Sequence, residues 1–292
     1  MKNTFRILSL AVFILLSPPL FGWEAARPST VVFLSDFGLA DDSVSQCKGV
    51  MESLAPGISV VDLTHEIPPF DIRLAAFYLA DSAAVWPGGT VFMAVVDPGV
   101  GTERPLLAAR FGGQHFLFPD NGVISHVAAT MPLEALHALR DTRYVPPAAS
   151  RTFHGRDVLA PLAADILNGL QLRHLGPTPD TYKLLDLPQP QVQESRIIGT
   201  VVYIDRFGNC VSNIAQSMLQ GPLAELDRLE VSCGGHAIGG LSGMYGFVEP
   251  GKELALVNSM GLLEVAVNQG SAHNLLGLNI GAEMTVRLRG ST

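Results

Sequence analysis

Four short apolar runs in the first half of the chain each end at or beside an aspartate and a cluster of turn residues. VVFLSDFG carries Asp36, VVDLTHE carries Asp62 and His65, VVDPGVGTER carries Asp97 and returns Arg104 seven positions later, and HFLFPDNG carries Asp120 and Asn121. Runs rich in Val, Ile and Phe, bounded by Asp, Gly and Pro and alternating with helix-like stretches, read as strands of a largely parallel sheet. Helices cover both faces of such a sheet, so ligands lie beyond the carboxyl ends of its strands. Any one of these clusters could be an ordinary turn. Their coincidence points to one shared site.

The pattern alternates strand and helix from Val31 to about Leu185, with helices expected over Asp42–Ala55, Asp71–Val85, Gly122–Ala129 and Asp157–Leu170. Asp42 and Ser43 are N-capping types at the first of these, and Asp157 is expected to cap the last. FGGQ joins LLAAR to HFLF as a hairpin turn would. The segment LDLPQPQVQES, Leu185 to Ser195, is proline-rich and aperiodic and suits a linker. Beyond it lie short β-like runs punctuated by glycine: Ile197–Ile204, Leu226–Val231, Leu254–Val257, Leu262–Val267 and Met284–Leu288. The fold class expected is α/β: a doubly wound N-terminal domain over 29–188 with a mostly parallel sheet, followed by a smaller, mostly β C-terminal domain over 196–291.

With 292 residues, 48% of them hydrophobic, the chain has material for a full core in one large or two moderate domains. Lys2 and Arg6, the apolar stretch Ile7 to Leu16, then Pro18, Pro19 and small residues from Gly22 to Ala26 read as an export signal over 1–26. That predicts a periplasmic or extracellular protein with no membrane attachment once the signal is removed, a retained membrane anchor being the alternative. A net charge of −8 without a basic stripe argues against nucleic acid as a partner. Of the three cysteines, Cys47 falls at helical spacing with Val44, Met51 and Leu54 and is expected in the core. A Cys210–Cys233 bridge is left open by the sequence.

FHGRD, Phe153 to Asp157, places His154 and Arg156 where a loop feeds a helix. Asp36, Asp41, Asp42, His65, Asp97 and His154 have metal-ligating groups, but no HExxH-type pair is present and Arg104 beside them would oppose a divalent cation. No metal is therefore expected. Signatures of a nucleophile elbow and of a phosphate-binding loop are absent from the sequence. In the second half, YIDRFGN carries Asp205 and Asn209, and VNSMGLLEVAVNQGSA carries Ser259, Glu264 and Asn268. Such groups suit hydrogen-bonded recognition of ribose hydroxyls, amino-acid termini or base edges. Tyr245 in MYGFVEPG has a ring that could stack on a planar group or pack in a core.

Taken in order, SDFG, DDSVSQCKGVM, VVDLTHEIPPFD, VVDPGVGTER, FPDNG, FHGRD, YIDRFGN and VNSMGLLEVAVNQGSA resemble the S-adenosyl-L-methionine (SAM) hydrolases, also called SAM hydroxide adenosyltransferases. These are relatives of fluorinase and chlorinase, and the resemblance is collinear from Val31 to the C-terminus. It implies cleavage of SAM to adenosine and L-methionine by attack of water or hydroxide at C5′, with SAM as substrate and no cofactor. It also implies a homotrimer, each site lying between the N-terminal domain of one subunit and the C-terminal domain of the next. By motif match the catalytic set is Asp97, Arg104 and His154, with Asp36 on the ribose hydroxyls. Asp205, Asn209 and Ser259 would meet the methionine portion, and Tyr245 the adenine, with Glu264, Val267 and Asn268 nearby.

Elementary chemistry agrees with that reaction. Hydroxide meeting a sulfonium cancels charge, which a dry site favours, and the neutral thioether leaves without needing a proton. Arg104 cannot be the base because a guanidinium stays protonated in proteins; Asp97 and His154 both remain candidates. The sulfonium epimer is also left open. Three other readings exist: an exported, non-catalytic adenosine- or nucleoside-binding module, a metal hydrolase, and a halide-using adenosyl halogenase. Against the last, fluorinase lacks the DPGVGTER pattern and carries an insertion where this chain has FGGQ, and Asp97 would repel a halide.

Overall fold

The computed structural model describes residues 30–141, 143–144, 150–193, 195–219 and 229–288. The expected export signal lies outside them. Among the described residues no helix is long and apolar enough to cross a membrane.

Six strands build the first sheet: β1 (Thr30–Ser35), β2 (Ser59–Thr64), β3 (Val91–Val95), β4 (Leu106–Phe111), β5 (Gln114–Pro119) and β6 (Leu133–Ala138). Their order is β2-β1-β3-β5-β4-β6. β1 pairs in parallel with β2 and β3, and β3 with β5, while β4 runs antiparallel to both its neighbours. The β4–β5 hairpin turns at Gly112 and Gly113, both at positive φ, as a two-residue turn matched to strand twist requires. Side chains alternate across the sheet. Val31, Phe33, Met93 and Leu117 meet α1 (Ser43–Leu54) and α4 (Ala160–Leu167) on one face, whereas Val32, Leu34, Phe92 and Phe116 meet α2 (Ile72–Ala83) and α3 (Ser125–Thr130) on the other. Both faces are covered, so the central runs Val31–Leu34 of β1 and Val91–Val95 of β3 are apolar without a break. Each fully buried Phe contributes roughly 1.5–3 kcal/mol of transfer free energy.

Two helix starts differ from expectation for identifiable reasons. Asp42 makes no side-chain cap; Asp41 instead accepts from the Ser43 N–H at 2.9 Å. Asp157 is not an N-cap but lies inside a π-helical turn, Gly155–Leu159, which precedes α4. Pro161 has no N–H to donate to residue 157, and the Ala160 N–H bonds the Gly155 carbonyl, so the α-helical ladder widens there before α4 begins.

The second sheet contains β7 (Gln191–Val192), β8 (Arg196–Ile204), β9 (Cys210–Ala215), β10 (Leu229–Cys233), β11 (His236–Gly239), β12 (Glu253–Val257), β13 (Leu262–Val267) and β14 (Glu283–Leu288). It runs β11-β10-β14-β8-β9-β13-β12, with β7 on β8, and every ladder is antiparallel. Leu241 bridges to Ala255 on β12, drawing the two ends together into a barrel-like shape. A short helix, α5 (Ala272–Leu276), follows β13. Ile197, Val201, Ile214, Val231, Val265 and Val286 fill the interior. Of the run expected from Leu226, residues 226–228 lie outside the described residues and the strand begins at Leu229. All three cysteines are buried free thiols, so no Cys210–Cys233 bridge forms. The two sheets meet where Tyr203 of β8 packs on Phe77 and Tyr78 of α2, at 4.6 and 5.8 Å between ring centroids.

Candidate active site

Ser35 stands opposite Val95 in the β1–β3 register, so Asp36 and Asp97 leave the sheet from neighbouring strand ends. After Asp97 the chain turns through Gly99 and Gly101 and returns Arg104. Gly101 sits at φ +80°, and a Cβ there would lie 2.7 Å from the Arg151 carbonyl oxygen. Only glycine lets this turn press so closely on the segment that leads to His154.

Arg104 joins the group. Its Nε donates to Asp97 Oδ1 at 2.7 Å, its Nη2 donates to Asp97 Oδ2, and Nη2 also lies 3.0 Å from His154 Nδ1. The Asp97 and Arg104 side chains are 8% and 10% exposed, and a bidentate pair this dry is both strong and geometrically fixed. A guanidinium can only donate, so Nδ1 must accept and the neutral ring carries its proton on Nε2. Burial and the Arg104 cation together hold the His154 pKa below the ordinary imidazole value, with Asp97 and Asp157 only partly opposing them. The ring's surroundings are themselves anchored. Asp157 accepts from the Ser150 N–H at 2.9 Å, Arg156 pairs with Asp157 at 2.6 Å, and the Arg156 guanidinium covers the Phe153 ring at 4.8 Å.

Asp97 and His154 face a cavity of about 270 Å³ lined among others by Asp36, Phe37, Phe70 and Phe153, with Arg104 behind them. Asp36 Oδ2 accepts from the Phe70 N–H at 2.8 Å. Phe37 and Phe153 meet edge to face at 5.6 Å. The walls are thus aromatic and the polar groups carboxylate and imidazole, an environment suited to a cation with an apolar body. Sequence reasoning missed the three phenylalanines, although Phe37 and Phe153 adjoin the selected Asp36 and His154. Among the described residues no three His, Cys, Asp or Glu side chains converge on a point where an ion could sit. Of the metal-ligating types noted in the sequence, His65 is committed to Ser35 and Asp62, and Asp41 to the start of α1.

The candidates of the second sheet lie elsewhere. Asp205 Oδ1 accepts from the N–H groups of Phe207 and Asn209, and Oδ2 from Asn209 Nδ2, each at 2.9 Å. Glu264 is buried on β13, taking the Tyr245 hydroxyl at 2.5 Å and Asn258 Nδ2 at 3.0 Å. Burial raises the Glu264 pKa against the pull of those two hydrogen bonds. Burial and the Glu264 bond likewise raise that of Tyr245. Val267 is buried at the end of β13, and Asn268 Nδ2 donates to the Val248 carbonyl at 2.7 Å. Ser259 lines a separate, open cavity with Thr64, Tyr78 and Asp81. Among the described residues, none beyond Leu159 lines the cavity that holds Asp97 and His154. Asn258 was also missed; its only sequence signal is a turn asparagine opening the β12–β13 hairpin.

The chain matches the SAM hydroxide adenosyltransferase N-terminal domain over residues 31–176 and the C-terminal domain of the same family over 199–285. It belongs to the SAM hydroxide adenosyltransferase family. The (R)-S-adenosyl-L-methionine hydrolase of Thermus thermophilus is 41% identical over 265 residues, spanning 88% of this chain and 98% of that protein. The protein of the same name from Salinispora tropica is 37% identical over 259 residues, spanning 88% and 97%. A fluorinase from an Actinoplanes species is more distant, 26% identical over 287 residues, spanning 88% and 96%. Among solved structures, a conserved Thermotoga maritima protein superposes with a TM-score of 0.83 at 33% identity, covering 88% of this chain and 99% of its own.

Proposed function

We propose that this protein hydrolyses (R)-S-adenosyl-L-methionine to adenosine and L-methionine, with Asp97, Arg104 and His154 acting on the attacking water. The carrying observation is the Asp97–Arg104–His154 chain beside an aromatic-walled cavity. Membership of the family and the activity for which relatives at 37% and 41% identity are named support the substrate and its epimer.

In the reaction a C5′–O bond forms as the C5′–S bond breaks, its electron pair leaving on sulfur as a neutral thioether. Only the water's proton needs an acceptor. His154 holds a proton on Nε2, so it donates to the water oxygen and orients it. Asp97 keeps lone pairs beyond those given to Arg104 and takes the proton. Arg104 fixes both partners and takes no proton itself. Positive charge on sulfur is lost as the nucleophile is deprotonated, and exclusion of water makes that neutralisation more favourable. The rings of Phe37, Phe70 and Phe153 provide faces or edges for the sulfonium-bearing ligand.

Half of the recognition comes from a second copy in a homotrimer. What supports this is the distribution of exposed apolar groups and polar candidates. Phe70 and Val100 line the cavity and are exposed, whereas Phe207, Met244, Tyr245 and Phe247 are exposed on the segments that carry or neighbour the second sheet's polar candidates. Uncovered apolar groups beside each of the two sets of polar candidates are what two complementary faces of a ring assembly would leave. Asp36 holds ribose hydroxyls, Asp205, Asn209 and Ser259 the methionine portion, and Tyr245, Glu264, Val267 and Asn268 the adenine end. Export with removal of residues 1–26 completes the reading, on the composition of the leader.

The test is incubation of purified protein with each sulfonium epimer, with and without EDTA, and chromatography of the products. Adenosine and methionine in equal amounts from the (R) epimer, unaffected by EDTA, are expected. No adenosine from either epimer would end the proposal.

A further inference from the structure

β1 delivers Asp36 into the cavity, and one residue from the end of β2 grips the turn that carries it on both sides. His65 Nδ1 lies 2.7 Å from Ser35 Oγ, immediately before Asp36, and the His65 carbonyl accepts the Gly38 N–H at 2.8 Å, just after it. Ser35 and His65 are 0% and 3% exposed. The Phe33 ring meets the imidazole edge to face at 4.6 Å. Behind the ring, His65 Nε2 lies 3.0 Å from Asp62 Oδ1, and Asp62 Oδ2 accepts from Lys48 Nζ of α1 at 2.6 Å. The first of these contacts is off the line of a hydrogen bond, so it is an attraction between the carboxylate and the polar edge of the ring.

The proton positions follow from these partners. A carboxylate beside Nε2 keeps the proton on that nitrogen, which leaves Nδ1 to accept from the Ser35 hydroxyl. Ser35 Oγ then has lone pairs toward the Phe37 N–H, 3.4 Å away. Partial burial works against ionisation of Asp62, but Lys48 and His65 outweigh it and hold the carboxyl below its usual range. Ser, His and Asp are also the residues of a nucleophilic triad. Ser35, however, is fully buried and does not line the cavity, so its hydroxyl has no route to a substrate. The cluster can act on a ligand only through Asp36 and its neighbours.

We infer that His65, backed by Asp62 and Lys48 and acting through Ser35 and Gly38, is a positioning residue that aims the Asp36 carboxylate and so sets preference for ribose over deoxyribose in the ligand. A carboxylate that must accept from hydroxyls of a rigid ring loses much of its discrimination if its turn can drift. The inference rests on the reading of Asp36 as the ribose ligand.

The experiment measures calorimetric affinities of the full mature chain for adenosine and for 2′,3′-dideoxyadenosine, comparing wild type with Asp36→Ala, Ser35→Ala and His65→Gln. Wild type is expected to prefer adenosine by about 10- to 100-fold, the range for hydrogen bonds to a charged group. Asp36→Ala should abolish that preference. Ser35→Ala and His65→Gln should reduce it by about 3- to 10-fold while the affinity for dideoxyadenosine stays within about twofold. A merely structural lesion would weaken both ligands together, and that result overturns the inference, as does a full preference retained in both variants. Wild type without a preference would end the ribose reading and the inference with it, whereas preference retained in the variants ends the inference alone. Should His65→Gln fail to fold, Ser35→Ala, which removes one hydroxyl, decides.

Discussion

The polar groups of the two sheets are organised in opposite ways. Beyond the parallel strand ends, Asp97, Arg104 and His154 come from two loops about fifty residues apart and bond to one another, and Asp97 and His154 still face an open cavity. In the antiparallel sheet the polar residues pair with one another, Asp205 with Asn209 and Glu264 with Asn258 and Tyr245. The first arrangement concentrates charge where a ligand can reach it. The second spends its hydrogen bonds internally and presents shape, with Tyr245 and Phe247 exposed. A chain with chemistry at one end and a preformed recognition surface at the other is what the proposed site between copies requires.

The sharpest way to break this contrast is on the charged side. Asp97→Asn and His154→Ala should each lower single-turnover rate by about two to four orders of magnitude while calorimetric affinity changes little. Near-normal turnover in both would remove their role on water. Next in size, Asp36→Ala should weaken substrate binding by about 10- to 100-fold with a smaller effect on the rate of bound substrate; an effect on rate alone would contradict its assignment. On the recognition side, Tyr245→Phe leaves a buried Glu264 oxygen without its donor and should lower stability by about 1–3 kcal/mol, read from denaturant midpoints. An unchanged midpoint would show that the Tyr245–Glu264 bond contributes nothing to the folded chain.

The smallest effects are in pH. Because His154 is held below the ordinary imidazole pKa, its neutral form, which the Arg104 contact needs, persists as pH falls through about 6.5. Turnover should stay level there and decline only at lower pH. Burial also lowers His115, helped by Arg110 and opposed by Glu134, and burial alone lowers His126. In the window below about 6.5 the unfolded chain therefore binds more protons than the folded one. Stability from these rings is complete above that window and is lost as pH falls through their folded values. A thermal midpoint that rises on acidification across this range would contradict the sign.

The strand ends were legible because burial on both faces leaves apolar runs that break only where a turn begins, and Asp97 and Arg104 flank one such turn. His154 could be chosen from its neighbours, but not its tautomer, which depends on a guanidinium fifty positions away. The widening of the helix after His154 was missed because Asp157 looks like a cap, and only the geometry shows Pro161 withholding the N–H that an α-turn would need. Ser35, His65 and Lys48 were invisible as a group: the register of β1 with β2 and the packing of α1 bring them together, and local pattern carries neither. Asn258 likewise gains meaning only from its strand partner Glu264.

The central claim is that a complete site needs the charged half of one copy and the recognition half of another. Co-expression of Asp97→Asn chains with Asp205→Ala chains tests it directly, each variant being nearly inactive alone. In a mixed ring, about a quarter of the junctions would join an intact Asp97 to an intact Asp205 by random assembly. The account expects roughly that fraction of wild-type turnover of (R)-S-adenosyl-L-methionine in the mixture. Activity no greater than the sum of the two variants measured separately would contradict it and place the whole site within one chain.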